Sequence, residues 1–408
     1  MRLAANPCHP ARRYPTSRLP LLVLACSLAG ISAPACAQIA FQAQTALATG
    51  PSPYAVAVGD FNGDQLPDLA VTMQGNNRVY IYSGSASGAF SFAISYVVGS
   101  QPAAIIATDL NHDGFMDLAI TNRQAATVSI LLGHGNGTFN AAVAYAVGSL
   151  PIAIAVGSFN PDGYADLVTA NSGDVCGPPF TPCGTVSLLR NVGDGTFYLG
   201  ATLYPQVIPT GIATGVFTAG GDQDLVVTSY AGSQYSLYFG DGGGGFPTSQ
   251  GPFTTLSANA VVLADFNHDG STDLAISRSD DGDVSVQRGN GNGTFQTAAY
   301  YSEGTSGSHP YSAAQGDFDG DGYADLVLAN YSDNSVAVLR DRTVGNGGFD
   351  GALTFTGGLT LPSSVAVGDF NRDGKSDIVV VNSGADSLSV FLNVSVPTDR
   401  IFASGFEF

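Results

Sequence analysis

Apolar residues along this chain come in short blocks separated by polar and glycine-rich turns, and the unit that ends at Val147 shows the pattern. Ala104-Ile105-Ile106-Ala107 leads into an acidic turn, and Leu118-Ala119-Ile120-Thr121 leaves it. A polar turn over Asn122 to Ala126 follows, then Val128-Ser129-Ile130-Leu131-Leu132. The glycine-rich Gly133-His134-Gly135-Asn136-Gly137-Thr138 comes next, and from Phe139 an alternating run reaches Val147. Short runs bounded by Gly, Asn and Asp read as strands, and the glycine-rich turn reads as a hairpin. The unit is therefore predicted to be four antiparallel strands, turning into the next unit at Gly148-Ser149-Leu150-Pro151.

The acidic turns mark the period. Intact nonapeptides carry oxygen-bearing side chains at positions 1, 3, 5 and 9: Asp60, Asn62, Asp64 and Asp68; Asp109, Asn111, Asp113 and Asp117; Asp265, Asn267, Asp269 and Asp273; Asp317, Asp319, Asp321 and Asp325; Asp369, Asn371, Asp373 and Asp377. A weakened copy starts at Ser158 and keeps Asn160, Asp162 and Asp166, and a ruined one starts at Val216 and keeps Asp224. The starts lie 49, 49, 58, 49, 52 and 52 residues apart, so one supersecondary unit of about fifty residues recurs. Seven such units, with small residues in the innermost strand, predict an all-β fold, a seven-bladed β-propeller of four-stranded antiparallel blades. Phe41 to Ala48 looks like an outer strand with no unit before it, and the seventh unit stops at its third strand, Leu388 to Leu392. The N-terminal strand is expected to complete the last blade, because an open solenoid would leave unpaired edges.

The spacing of these oxygens suits a tight loop around a hard cation such as calcium, and glycine at position 6 permits the left-handed turn that points them inward. Three carboxylates within roughly 4 Å would repel by about 4 kcal/mol per pair at an effective dielectric near 20, so a cation is expected. Charge agrees: the net charge is -19, and 20 of the 33 acidic residues fall inside the seven nonapeptides. With a single lysine, Lys375, and no basic patch, nucleic acid is excluded as a partner. Long amphipathic helices are excluded by a charged fraction of 12% beside 52 glycines and 21 prolines.

Residues 1–37 read as a signal peptide. Arg2, Arg12, Arg13 and Arg18 precede an apolar run from Leu19 to Ile31, too short to span a bilayer, and Ala35-Cys36-Ala37 offers small residues for cleavage. A lipoprotein anchor at Cys26 is the rival reading. Cleavage leaves Cys176 and Cys183, which read as a disulfide stapling the extra residues of the 58-residue interval. Residues 38–396 form the propeller, and 397–408 a short tail.

Runs such as Val365-Ala366-Val367-Gly368-Asp369-Phe370-Asn371-Arg372-Asp373-Gly374-Lys375-Ser376-Asp377-Ile378 resemble the FG-GAP or VCBS repeat family, the propeller repeat also found in integrin α subunits. By that resemblance the loops bind calcium between the first and second strands of a blade, and position 7 adds a backbone carbonyl. Those carbonyls would be Leu66, Phe115, Ser271, Tyr323 and Lys375. Gln65 in place of glycine should strain the first site, Ser158 should weaken the third, and the fourth should be empty. His112 and His268, at position 4, are expected to face solvent.

No histidine of the mature chain has an evident Ser or Cys partner, so catalysis is not expected. An exported monomer is expected, secreted, periplasmic or on the cell surface, binding an extracellular protein or glycan; the alternative is a propeller with, or accessory to, hydrolase or lyase activity on polysaccharide or phospholipid. In an up-and-down blade the acidic loops and glycine hairpins share one face. The other face carries the variable turns, with Arg78, Asn122, Arg123, Phe180, Tyr230, Tyr235, His309, Tyr331 and Asp333, and is the expected ligand face.

Overall fold

The structure, a computed structural model, describes residues 39–173, 175–176, 181–182, 184–205, 208–303, 308–342 and 348–395. Residues 1–37, expected to be a signal peptide, the tail over 397–408, Phe180 and Cys183 lie outside the described residues. Seven four-stranded antiparallel sheets, each in simple inner-to-outer order, make a seven-bladed β-propeller. Blade 2 is representative, with strands Pro102–Thr108, Asp117–Asn122, Thr127–Leu131 and Val143–Ala146. Its outer strand is shorter than the sequence suggests, since Phe139 only bridges Gly133 and its ring turns into the core. The 58-residue interval contains a small hairpin, Val175–Cys176 against Thr181–Pro182, between the second and third strands of blade 3.

Burial follows position in the blade. The second strand of every blade is buried along its whole length, for example Asp117–Asn122 and Asp325–Asn330, because neighbouring blades cover both of its faces. Such strands therefore read as continuous apolar runs rather than alternating ones. Outer strands such as Val143–Ala146 are largely exposed. Cores lie between blades: Phe61, Ala70 and Ile81 of blade 1 pack with Leu118, Ile120 and Phe139 of blade 2.

A phenylalanine pair pins most seams. The residue at position 2 of one acidic loop meets, edge to face, the phenylalanine that follows the next blade's glycine hairpin: Phe61 with Phe139 at 5.5 Å, Phe217 with Phe295 at 5.6 Å, and Phe266 with Phe349 at 5.4 Å. Such pairs add about 0.5–1.5 kcal/mol beyond their burial. The ring closes as expected. Thr45–Ala48 pairs antiparallel with Ser387–Phe391, in register from Thr45 against Val390 to Ala48 against Ser387. Phe41, on the same segment, sits 5.9 Å from Phe318 and so supplies for the last blade the ring that a hairpin supplies elsewhere.

Candidate functional site

Each acidic loop is braced by its own backbone. At position 1, Asp265 accepts from the N–H groups of Asp269 (3.0 Å) and Gly270 (2.9 Å), and Asp369 accepts from Asp373 (3.0 Å) and Gly374 (2.9 Å). At position 3, Asn62, Asn111, Asn267, Asp319 and Asn371 each accept from the N–H of position 5, at 2.9–3.2 Å. At position 5, Asp64, Asp113, Asp162, Asp269, Asp321 and Asp373 accept from the N–H of position 7, namely Leu66, Phe115, Tyr164, Ser271, Tyr323 and Lys375. These bonds curl the loop. Position 6 is left-handed as expected, with φ of 87° at Gly114 and 86° at Gly270, and Gln65 is forced to φ 65°.

Position 4 is left-handed as well, at His112 (φ 59°), His268 (φ 55°) and Arg372 (φ 58°), which the sequence reading missed. His112 and His268 are exposed, as expected, and each also meets a neighbouring side chain. His112 lies 5.2 Å from the ring of Tyr164 in the next loop, His268 stacks on Tyr323 at 4.2 Å, and Arg372 Nε donates to the Gln65 carbonyl at 3.1 Å. The turned backbone at position 4 carries the side chain sideways over the neighbouring blade.

Position 9 has a second task. Asp68, Asp117, Asp224, Asp273, Asp325 and Asp377 each accept from the N–H of loop position 2 through one oxygen and from the residue opening the glycine hairpin through the other, at 2.7–3.1 Å. Asp166 keeps the hairpin-side bond to Asn191 at 2.8 Å. Loops and hairpins thus share one face, and blade 5 packs closely there, since a Cβ on Gly289 would stand 2.2 Å from the Thr272 carbonyl oxygen, whereas Asn191, Asp341 and Asn393 hold the same place in blades 3, 6 and 7.

Several oxygens remain without a partner. Asp109 Oδ1, Asn160 Oδ1, Asp166 Oδ2 and Asp321 Oδ2 are buried and accept no hydrogen bond. Asp317, Asp319 and Asp325 bring carboxylate oxygens within 4.8 Å of one another. Burial pushes Asp325 up to about 8 and Asp273, Asp319 and Asp377 up to about 6, with neighbouring loop carboxylates adding to the shift. Crowded, desolvated carboxylates with unsatisfied oxygens fit an oxygen-seeking divalent cation. In the third loop Pro161 stands at position 4, where proline's fixed φ forbids the left-handed turn, and in the fourth Val216, Thr218 and Gly220 bring no carboxylate.

On the opposite face the expected ligand residues divide. Asn122 is wholly buried and donates to Thr127 Oγ1 (3.0 Å) and Ser129 Oγ (2.8 Å), the job done by Asn171 and Asn382 in their blades, so it belongs to the blade interior. Tyr235 is 4% exposed and likewise interior. Arg78 is tied to Ser95 Oγ at 3.0 Å, and the Tyr230 hydroxyl donates to Asp280 at 3.0 Å. His309 lies 3.7 Å from the same carboxylate. Tyr331 packs at 5.6 Å on Tyr311, whose hydroxyl lies 2.6 Å from that of Tyr54. Arg123 acts on Tyr54 from the neighbouring blade. Sequence reasoning missed Tyr54 and Tyr311. Both follow the proline that opens an inner strand, where other blades carry Ile152 or Ser363, so superposing the repeats would have exposed them.

Among proteins of known structure, BBS1N, solved in complex with ARL6DN, is similar with a TM-score of 0.57 at 12% identity, over 87% of this chain and 96% of that one. An Agrocybe aegerita lectin described for recognition of non-reducing terminal N-acetylglucosamine aligns with a TM-score of 0.54 at 18% identity, over 81% and 86%. A Lactobacillus plantarum protein aligns with a TM-score of 0.56 at 13% identity, over 76% and 86%. No curated protein matches the sequence. No helix among the described residues is long and apolar enough to cross a membrane. The FG-GAP-like repeat profile matches residues 60–120, 109–169, 217–276, 265–328 and 317–380. Covering more than half of the chain in register with the acidic loops, these matches make it a member of the FG-GAP-like repeat family.

Proposed function

We propose that the chain is an exported propeller that uses calcium to hold one face rigid and binds an extracellular protein or glycan with the other, without catalysis. The observation that carries this reading is the division of labour between the faces. Backbone turns and braced carboxylates build one, and the other gathers Tyr54, Tyr311, Tyr331 and Arg123 from three separate blades. Aromatic and arginine side chains presented together are the usual anchors of recognition. Calcium would be held by the first, second, fifth, sixth and seventh loops through positions 1, 3, 5 and 9 and the position-7 carbonyl, weakly by the third, and not by the fourth.

A non-enzymatic role is supported by the wiring of a serine, an aspartate and a histidine that meet on this face. Ser257 Oγ donates to Asp280, and His309 Nε2 lies 3.7 Å from the same carboxylate, so the aspartate stands between the serine and the histidine. Propellers of similar fold captured with a protein partner and with a terminal sugar agree with a binding role. The test is a pull-down and glycan array with the mature protein in millimolar calcium, beside a hydrolase and lyase screen on polysaccharides and phospholipids. Specific capture without turnover is expected; turnover abolished by a substitution outside the acidic loops would sink the reading.

A further inference from the structure

The inner strands of the seven blades begin around the propeller axis, on the face away from the acidic loops. There they enclose a cavity of about 200 Å³ whose lining includes Tyr54, Ala104, Ile152, Ile212, Asn259 and Tyr311. This is smaller than the roughly 300–1,000 Å³ of drug-sized sites, and it suits a single ring. Half of the lining residues are alanine, isoleucine and valine, and Thr210, Ser312, Ser363 and Ser364 are among the rest. The Tyr54 and Tyr311 rings stand edge to face at 6.3 Å with their hydroxyls joined, and Tyr331 extends the aromatic surface outward.

The polar groups at this mouth are unusual for so acidic a chain. Burial, then Tyr311, pushes the Tyr54 hydroxyl up, and the positive charge of Arg123 on the neighbouring blade works against that rise. Arg123 Nε is buried and has no hydrogen-bond partner. An unsatisfied buried guanidinium nitrogen is unfavourable until an acceptor arrives, and its planar fork matches a carboxylate.

We propose that this axial mouth binds a carboxylate-bearing sugar, one hexuronic acid residue of an acidic glycan. Arg123 receives the carboxylate, the tyrosine rings and aliphatic wall cover the C–H faces of the pyranose, and the phenol pair and the Asn259 carboxamide meet its hydroxyls. A peptide carboxylate would satisfy Arg123 equally but leave the hydroxyl-matched groups idle. The proposal rests on the binding-module reading and narrows it to one pocket.

Titration calorimetry of the whole mature protein in millimolar calcium tests it, using D-glucuronate and D-glucose, which differ only at the carboxylate. Glucuronate should bind at least about tenfold tighter than glucose, the scale of one charge-assisted contact. Arg123→Gln should abolish that preference with no change in melting midpoint, and Tyr311→Phe, which also breaks the phenol pair, should weaken both sugars. Should Arg123→Gln fail to fold, Arg123→Lys, which keeps the charge and loses the fork, should still reduce the preference. Equal binding of the two sugars, binding of neither, or an undiminished preference in Arg123→Gln would overturn the proposal. So would tighter binding of N-acetyltyrosine, a peptide-like carboxylate. Capture of another ligand unaffected by Arg123→Gln would overturn the pocket and leave the broader reading standing, whereas turnover would overturn the broader reading itself.

Discussion

The fourth and sixth loops hold an aspartate at the same place and share little else. Asp224 and Asp325 are both wholly buried, and each accepts from the N–H at loop position 2 and from the residue opening the hairpin. Around Asp325 stand Asp317, Asp319 and Asp321; in the fourth loop positions 1, 3 and 5 are valine, threonine and glycine, and Asp222 at position 7 is the other carboxylate. Blade 4 nevertheless folds like the rest, with strands Gly211–Gly215, Asp224–Ser229, Gln234–Phe239 and Thr248–Thr254. Position 9 is therefore first a strut of the blade, and the cation binding proposed above would be a second layer laid over it in other blades.

Removing the second layer should have the largest effect. Each ion bound by the folded chain alone adds about 2.7 kcal/mol at a hundredfold excess over its Kd, and five of them together would rival the 5–15 kcal/mol total of an ordinary protein. Thermal melting in chelator should therefore occur far below melting in millimolar calcium. Equal midpoints would mean that the acidic loops are struts throughout.

Removing the strut should come next. Asp224→Ala deletes an acceptor of two hydrogen bonds at a charged group, each contributing about 1.5–3 kcal/mol, so a loss of about 3 kcal/mol or more is expected. That loss should be the same with and without calcium. Asp325→Ala should match it in chelator and exceed it in calcium, as read from denaturant midpoints. If the two substitutions respond alike to calcium, the two layers are not separable.

A smaller effect is the pH dependence of the calcium-free protein. Asp325 is raised to about 8 in the folded state, against an ordinary unfolded value near 4, so its protonated form favours folding. That stabilisation is complete below about pH 4 and is lost as pH rises through about 8. Asp273, Asp319 and Asp377, raised to about 6, act in the same direction over a lower window. Without calcium, stability should fall from pH 5 to pH 8.5, and calcium, which takes the proton's place, should flatten or reverse the slope. A rising slope in chelator would show that these carboxylates are not desolvated as the structure has them.

The fold was legible because its signal is local and repeated: nine-residue loops at a fixed interval, with short apolar runs between them, leave few architectures open. Even the closing strand could be read, from a run at one end and a missing fourth strand at the other. The strut at position 9 was not, because its partner Gly240 lies 16 residues downstream of Asp224 and a cation would call for the same carboxylate. Asn122 misled for a related reason. A polar residue at a strand end looks like a surface turn, and only the third strand's Thr127 and Ser129 show why it points inward. The tyrosine mouth escaped notice because Tyr54 and Tyr311 lie 257 residues apart and meet only when the ring closes.

The smallest expected effect concerns the first loop against its intact copies. Position 6 is left-handed in each, and only the first loop fills it with a side chain, Gln65 at φ 65°, where the others have Gly114, Gly270, Gly322 and Gly374. A non-glycine residue held there costs roughly 1 kcal/mol, which glycine avoids, and glycine's greater freedom when unfolded offsets part of that gain. The main tie across this seam survives the change, since Arg372 Nε donates to the backbone carbonyl of residue 65, and only a 3.3 Å contact with Gln65 Oε1 is lost. Gln65→Gly should thus stabilise by a few tenths of a kcal/mol, with or without calcium, and Gly374→Gln should destabilise by about 1 kcal/mol. Denaturant midpoints of the two variants, measured in parallel, check the pair. A destabilised Gln65→Gly would mean that the glutamine side chain, reaching across to Arg372, contributes more to closing blade 7 on blade 1 than its backbone strain takes away.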